Sequence, residues 1–239
     1  MGDRGDPDDQ ARRVLAAPRI TSGGHAVTAD DFPFSGPHVG LTPHPQSTRL
    51  AAAIQQSLPQ AIPWKNDAFR FADLAFANLQ DLVTGEGSRK AGGSWNPKGG
   101  FATLYLSVNP ETALHEVLAH HRNQLLPDVE ATPVTLAGFR VDVRRLLDMT
   151  DRRIRRLLGV TGKEIREPWH PHQHAGQEAI TQAIGRLAYE KGFQGLLVPS
   201  AALVQGRNLA RFPDRLDAED LTIVHEERFP RLRLRLRRK

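Results

Sequence analysis

The chain of 239 residues contains no cysteine, which excludes disulfide bonds and metal sites built on thiolates. It also lacks an apolar segment near its first residue and any run of 18 apolar residues, which argues against export and against membrane spanning. We therefore expect a cytoplasmic protein without membrane contact. A hydrophobic content of 39% is enough for one sizeable globular domain plus extensions.

Glycine and positive charge are concentrated in the stretch GEGSRKAGGSWNPKGG, residues 85–100. Arg89, Lys90 and Lys98 surround two glycine pairs, so the backbone could approach a ligand closely while cations meet its anionic groups. This composition suits a phosphate, and it is also typical of a solvated turn.

An apolar strand is predicted after this stretch, over residues 101–108, and it carries Tyr105. Asn109 is a favoured N-cap and Pro110 a favoured first helical residue, so a helix is predicted to begin near Pro110. Glu116 lies on the flank of the apolar face of that helix, and a carboxylate in that place can reach a cleft.

These motifs resemble the RES domain, a family named for three residues (Arg, Glu, Ser) and found mostly as the toxin half of bacterial toxin–antitoxin pairs. The matching motifs occur in the family's order along the chain. They are Arg70 in AFRFAD, the loop GGSWNPKG, Tyr105 in LYLS, Glu116 in ALHEV and Ser200 in GLLVPSA.

The resemblance implies an α+β fold like that of the ADP-ribosyltransferases, with a mixed sheet core and flanking helices. It also implies an enzyme that cleaves NAD at the nicotinamide–ribose bond. NAD would then be the substrate, and neither a cofactor nor a metal is expected. The implied partner is a cognate Xre-like antitoxin with a helix-turn-helix part that binds DNA, and no direct nucleic-acid contact by this chain is expected. Whether the protein forms a homo-oligomer stays open.

Cleavage of that bond passes through an oxocarbenium-like centre, whose positive charge a carboxylate can stabilise. Nicotinamide leaves as a neutral base, so no general acid is needed. Our catalytic candidates are Glu116, Tyr105 and Arg70. Our candidates for NAD binding are Arg89, Gly93, Ser94, Trp95, Asn96, Phe71 and Ser200. Hydrolysis, phosphorolysis and transfer of ADP-ribose to another acceptor remain alternatives.

Two positions depart from the family pattern. Ser94 replaces the loop arginine, and Phe71 replaces the tyrosine that usually follows the early arginine. Losing a cationic hydrogen bond to phosphate would cost about 1.5 to 3 kcal/mol. The alternative reading is therefore a catalytically weakened RES-like module that binds a nucleotide or a protein.

A histidine-rich run, Trp169 to His174, alternates imidazoles with Pro171 and Gln173 and supports a rival hypothesis. In that hypothesis the chain is a metal-dependent hydrolase with Glu116 or Glu178 near the ion. No carboxylate stands at a motif spacing from the run, so a polar loop that caps the following helix is the favoured interpretation. We assign no metal ligand.

Three regions are predicted along the chain: an N-terminal extension with one short helix (1–61), a RES-like catalytic domain (62–227) and a basic C-terminal strand or tail (228–239). We expect much of the first 46 residues to be poorly ordered and the short helix to run from about Thr48 to Leu58. Within the domain, helices are predicted over 144–158 and 176–191. Strands are predicted over 134–143, 194–198, 208–212 and 221–225.

Overall fold

The computed structural model describes residues 40–123 and 134–229. The predicted α+β fold is confirmed. The helices are α1 Ser47–Ser57, α2 Leu79–Thr84, α3 Glu86–Ala91, α4 Pro110–Asn123, α5 Arg152–Leu157, α6 His170–His174 and α7 Ile180–Glu190. The strands are β1 Ile62–Asp73, β2 Leu104–Ser107, β3 Val134–Asp148, β4 Gly195–Pro199, β5 Arg207–Arg211 and β6 Leu221–Val224. Short 3-10 turns connect several of these elements.

The sheet closes on itself because β1 pairs with both β2 and β3. Strands β1, β2, β5, β4 and β3 thus follow one another in a ring, and β6 pairs with the free edge of β3. Among the strands of the described residues, β3 and β4 pair in parallel and the other pairs are antiparallel. A ring of this kind has an inner and an outer face, and residues along each strand alternate between them.

Each face of the sheet has its own apolar layer. One layer consists of side chains from all six strands and from α2, with Phe139, Leu104 and Leu209 wholly buried. The other covers the opposite face of β2, β4 and β5 with α1, α5 and α7, and here Phe193 and Phe212 are wholly buried. The second layer sets the position of α7 beneath the loop that follows α3.

Helix α1 belongs to this packed body, although the sequence placed it in the extension. Its Leu50 and Ile54 are wholly buried in the layer shared with α7. The chain just before α1 is fixed as well, because Thr42 N donates to Gly176 O at 2.8 Å and Glu178 N donates to Thr42 O at 2.9 Å. The packed body of the described residues therefore starts before Ile62.

The predicted basic helix over 144–158 is wrong in its first part. Strand β3 continues to Asp148, and the helix itself is the single short segment α5. The backbone N–H groups of Arg144 and Arg145 both donate to Gln194 Oε1, and Leu146 pairs with Gly195 on β4. Pairing with distant residues therefore overrides the local preference of this stretch.

The predictions for the ends of the chain fall outside the described residues, since the structure describes neither 1–39 nor 230–239. Among the described helices, none combines the length and the apolar character that a membrane crossing requires.

Candidate active site

The first part of the site is the helix that carries Glu116. As predicted, α4 begins at Pro110, and Asn109 caps it by accepting a hydrogen bond from Thr112 N on Oδ1 at 2.7 Å. Helix α4 packs against β1 and β2. Glu116 is half-buried on the second turn, so its carboxylate meets the ends of the neighbouring strands.

The two oxygens of the Glu116 carboxylate have different surroundings. Oε1 accepts a hydrogen bond of 2.6 Å from Ser200 Oγ and one of 2.5 Å from Asn208 Nδ2. Oε2 accepts no hydrogen bond from any residue that the structure describes. Two donors thus fix the carboxylate on one side and leave its second oxygen available to a ligand.

The Ser200 hydroxyl uses all of its hydrogen-bonding capacity. Besides donating to Glu116, Oγ accepts from Ala202 N at 3.1 Å and from Leu203 N at 3.0 Å. A hydroxyl has one proton and two lone pairs, so none of these groups is left for a ligand. Ser200, with 2% of its surface exposed, therefore orients Glu116 and is not placed as a nucleophile.

Asn208 is a site residue that sequence reasoning missed. On β5 it pairs with Ser107 of β2, and Ser107 Oγ donates to its Oδ1 at 2.8 Å. This contact fixes the amide orientation, so Nδ2 must face Glu116. The sequence contained a signal for it. Asn208 alternates with Ala210 and Phe212 along the strand, so it is a polar residue on a face where an apolar residue is expected.

The second part of the site is the loop from Gly93 to Asn96, which forms a tight turn with Gly93 N donating to Asn96 O at 2.9 Å. The Asn96 side chain holds the turn by donating to Ser88 O at 2.9 Å and to Phe101 O at 3.3 Å. A Cβ on Gly93 would lie 2.5 Å from the Tyr105 hydroxyl, so glycine is required there for close approach.

Tyr105 joins this loop to the sheet. Its hydroxyl accepts from Trp95 N at 2.8 Å and donates to Asn96 Oδ1 at 2.8 Å. Burial raises the pKa of the Tyr105 phenol well above its usual range, so it stays a neutral donor. Tyr105 and Ser107 are two positions apart on β2 and share a face, which places the loop about 7 Å along the strand from the Glu116 cluster.

Arg70 lies elsewhere. Phe69 pairs with Ser107, and opposed residues of an antiparallel pair share a face, so Arg70 points to the other face. There its cross-strand partner is Ala137 of the buried layer. Burial lowers the pKa of the Arg70 guanidinium, and the nearby Asp81 carboxylate opposes that shift. Among the described contacts, none joins Arg70 to Glu116. Phe71 is half-buried and lies on the opposite face from Arg70, which is the face that Phe69 shares with Ser107.

Arg89 was expected in a glycine loop and is found on helix α3. Its guanidinium forms a two-pronged ion pair with Glu86, with Nε to Oε1 at 2.9 Å and Nη2 to Oε2 at 2.7 Å. The hydrogen bonds that Arg89 donates to the Glu86 carboxylate raise the pKa of the guanidinium. This exposed pair uses Nε and Nη2 and does not involve Nη1, so Arg89 could contact a ligand through Nη1 while it stays paired with Glu86.

The histidine run forms the one-turn helix α6. In the described residues, no group of three or more His, Cys, Asp or Glu side chains is placed to hold a metal ion. The role of α6 that the structure does show is a contact with the last residue of α3, because Gln173 Nε2 donates to Ala91 O at 3.0 Å.

The model of the RES domain family matches residues 63–232. Curated relatives include the NAD(+) phosphorylase MbcT of Mycobacterium tuberculosis and of Mycobacterium bovis, each 28% identical over 163 residues that cover 64% of this chain and 80% of the relative. Among solved structures, the crystal structure of the M. tuberculosis MbcT–MbcA toxin–antitoxin complex matches with a TM-score of 0.57 and 25% identity. That match covers 74% of this chain and 91% of the solved one.

Proposed function

Because the chain belongs to the RES domain family, we propose that it cleaves NAD at the bond between ribose and nicotinamide, with inorganic phosphate as the acceptor. The observation that carries the proposal is the Glu116 carboxylate, with Oε1 held by Ser200 and Asn208 and Oε2 left available. The curated relatives named as NAD(+) phosphorylases support both the substrate and the acceptor.

The chemistry needs one well-placed carboxylate. The bond between ribose C1′ and the pyridinium nitrogen breaks, and its electron pair stays with nicotinamide, which leaves neutral. Positive charge then develops on the ribose, where Glu116 Oε2 would stabilise it. A phosphate oxygen forms the new bond to C1′, so the products are nicotinamide and the 1-phosphate of ADP-ribose.

The turn from Gly93 to Asn96 is the proposed contact for the diphosphate of NAD. Ser94 replaces the arginine of the family here, and neither its backbone N–H nor its Oγ makes a hydrogen bond with a described residue. Half-buried Ser94 would therefore offer two neutral donors in place of one cation. We expect weaker binding of NAD than an arginine would give.

We also propose that a cognate antitoxin inhibits this enzyme, and that both act in the cytoplasm. The solved relative supports an antitoxin partner, since it is a toxin in complex with its antitoxin. We expect the antitoxin to be Xre-like, with a helix-turn-helix part, as the family resemblance implies.

The test is to incubate the purified protein with NAD in phosphate buffer and in a phosphate-free buffer and to identify the products by mass. The proposal predicts that the 1-phosphate of ADP-ribose forms only in the phosphate buffer. Nicotinamide must form in that buffer, and its release without phosphate is compatible with the proposal. If free ADP-ribose forms at an equal rate in both buffers, the enzyme is a hydrolase and phosphate is not the acceptor. If no nicotinamide forms in either buffer, the chain is a binding module instead.

A further inference from the structure

The turn from Gly93 to Asn96 is held from beneath by a buried glutamine that the proposed reaction does not use. Gln182 lies on α7 and has no exposed surface. Its Nε2 donates to Gly93 O at 3.1 Å and to Asn96 O at 3.4 Å. The same Nε2 lies 3.1 Å from Gln173 Oε1 on α6. One side-chain amide thus contacts both ends of the turn.

The orientation of this amide is fixed by the start of the helix. Gln182 Oε1 accepts from Ala179 N at 3.1 Å, so the donating Nε2 must face the turn. Gln173 adds a second contact by donating to Ala91 O at 3.0 Å. A Cβ on Gly92 would lie 2.2 Å from Gln173 Oε1. The backbone at Gly92 therefore passes so close to the Gln173 side chain that only glycine fits there. Gln173 and Gln182 are called the glutamine clamp below.

The clamp sets the direction of one backbone N–H group. In a trans peptide unit, the carbonyl of one residue and the N–H of the next point in opposite directions. Because Gly93 O faces Gln182, the N–H of Ser94 points away from α7. Gly92 N, Gly93 N and Trp95 N donate to Ser88 O, Asn96 O and the Tyr105 hydroxyl, respectively. The N–H of Ser94 has no such acceptor among the described residues.

We propose that Gln182, assisted by Gln173, is a positioning residue that holds Ser94 in place to donate hydrogen bonds to an anionic oxygen of the NAD diphosphate. This inference rests on the proposed function. Donors that are already in position need no rearrangement when the ligand binds. The clamp therefore acts on the affinity for NAD, whereas Glu116 acts on cleavage of the bond.

The test compares Gln182→Glu with Gln177→Glu. The first variant keeps the size of the side chain but places an acceptor where a donor faces two carbonyl oxygens. The second makes the same change on an exposed side chain two residues before Ala179, and serves as the control. We expect Gln182→Glu to raise the KM for NAD about tenfold, the effect of roughly one lost hydrogen bond, while kcat changes less than about threefold. Gln173→Ala, at a half-buried position that folding tolerates more easily, should raise KM in the same direction.

Amide hydrogen exchange of the peptide covering 91–97 supplies a second readout. It should become faster in Gln182→Glu and in Gln173→Ala, and stay as in the wild type in Gln177→Glu. The inference would be overturned if Gln182→Glu changed neither the KM for NAD nor the exchange rate. It would also be overturned if this variant lowered kcat about tenfold and left KM unchanged. If wild-type protein releases no nicotinamide, the proposed function fails by itself. Calorimetric binding of ADP-ribose then decides the inference, since about tenfold weaker binding by Gln182→Glu supports it and equal binding overturns it.

Discussion

Ser200 Oγ donates a 2.6 Å hydrogen bond to Glu116 Oε1, across 84 positions of the sequence, and this bond makes the two carboxylate oxygens inequivalent. Asn208 Nδ2 donates to the same oxygen. The two hydrogen bonds fix the position of the Glu116 carboxylate and leave Oε2 available to a ligand. Electrostatic stabilisation is most effective when the stabilising group does not have to move as charge develops.

Removing either donor should slow the reaction without removing the reacting group. We expect Ser200→Ala and Asn208→Ala each to lower kcat by roughly ten- to a hundredfold, because a hydrogen bond to a charged group is lost. Steady-state rates of nicotinamide release measure this. The double variant should lose less than the product of the two single losses, since both donors hold one oxygen. Full activity of both single variants would show that the carboxylate needs no support.

The identity of residue 94 should control the affinity for NAD. Ser94→Arg restores a cation at the turn and should lower the KM for NAD by about tenfold or more, as expected for a charge-assisted hydrogen bond. Ser94→Ala removes only the hydroxyl and should raise KM slightly. Both are read from initial rates at varied NAD concentration. An arginine that leaves KM as it is would place the diphosphate away from this turn.

Packing of α7 beneath the turn predicts a large effect from one small substitution. A Cβ on Gly185 would lie 1.8 Å from Trp95 O, so Gly185→Ala must push the helix and the loop apart. We expect a loss of about 2 to 4 kcal/mol in the free energy of unfolding, measured in urea. Gly87→Ala on α3, where no atom lies within 4 Å, is the control and should be neutral or slightly stabilising. Equal stability of the two variants would contradict the close contact.

Two ion pairs should differ strongly in their contribution to stability. The pair of Arg186 with Glu178 has side chains only 10% and 3% exposed, whereas that of Lys65 with Asp142 is 74% and 39% exposed. Arg186→Met leaves a buried carboxylate without its partner, so we expect a loss of about 3 to 5 kcal/mol. Lys65→Met should cost about 1 kcal/mol or less. Urea denaturation measures the free energy of unfolding of the two variants. Similar losses would show that burial does not determine how much an ion pair contributes to stability.

Local signals allowed part of the fold to be predicted. The start of α4 followed from Asn109 as its cap and Pro110 as its first residue, and the prediction is confirmed because capping is a property of adjacent residues. The continuation of β3 through Arg144 and Arg145 could not be predicted, since it depends on Gln194, about fifty positions away. Strand pairing with distant residues leaves no local pattern.

The site shows the same division. Glu116 and Ser200 were identified through family motifs, and the structure places them in contact. Asn208 was missed because no family motif marks it, and its contact with Glu116 becomes visible only when β5 pairs with β2. Gln182 was missed for a similar reason, because helical spacing indicates burial but not the partner of a buried amide.

The most direct measurement compares nicotinamide release from NAD by the wild type, Glu116→Gln and Glu111→Gln. Glu111 lies exposed on the first turn of the same helix, so its variant carries the same change of charge away from the cluster. We expect Glu116→Gln to lose nearly all activity and Glu111→Gln to stay close to the wild type. Release that persists in Glu116→Gln would contradict the role given to this carboxylate.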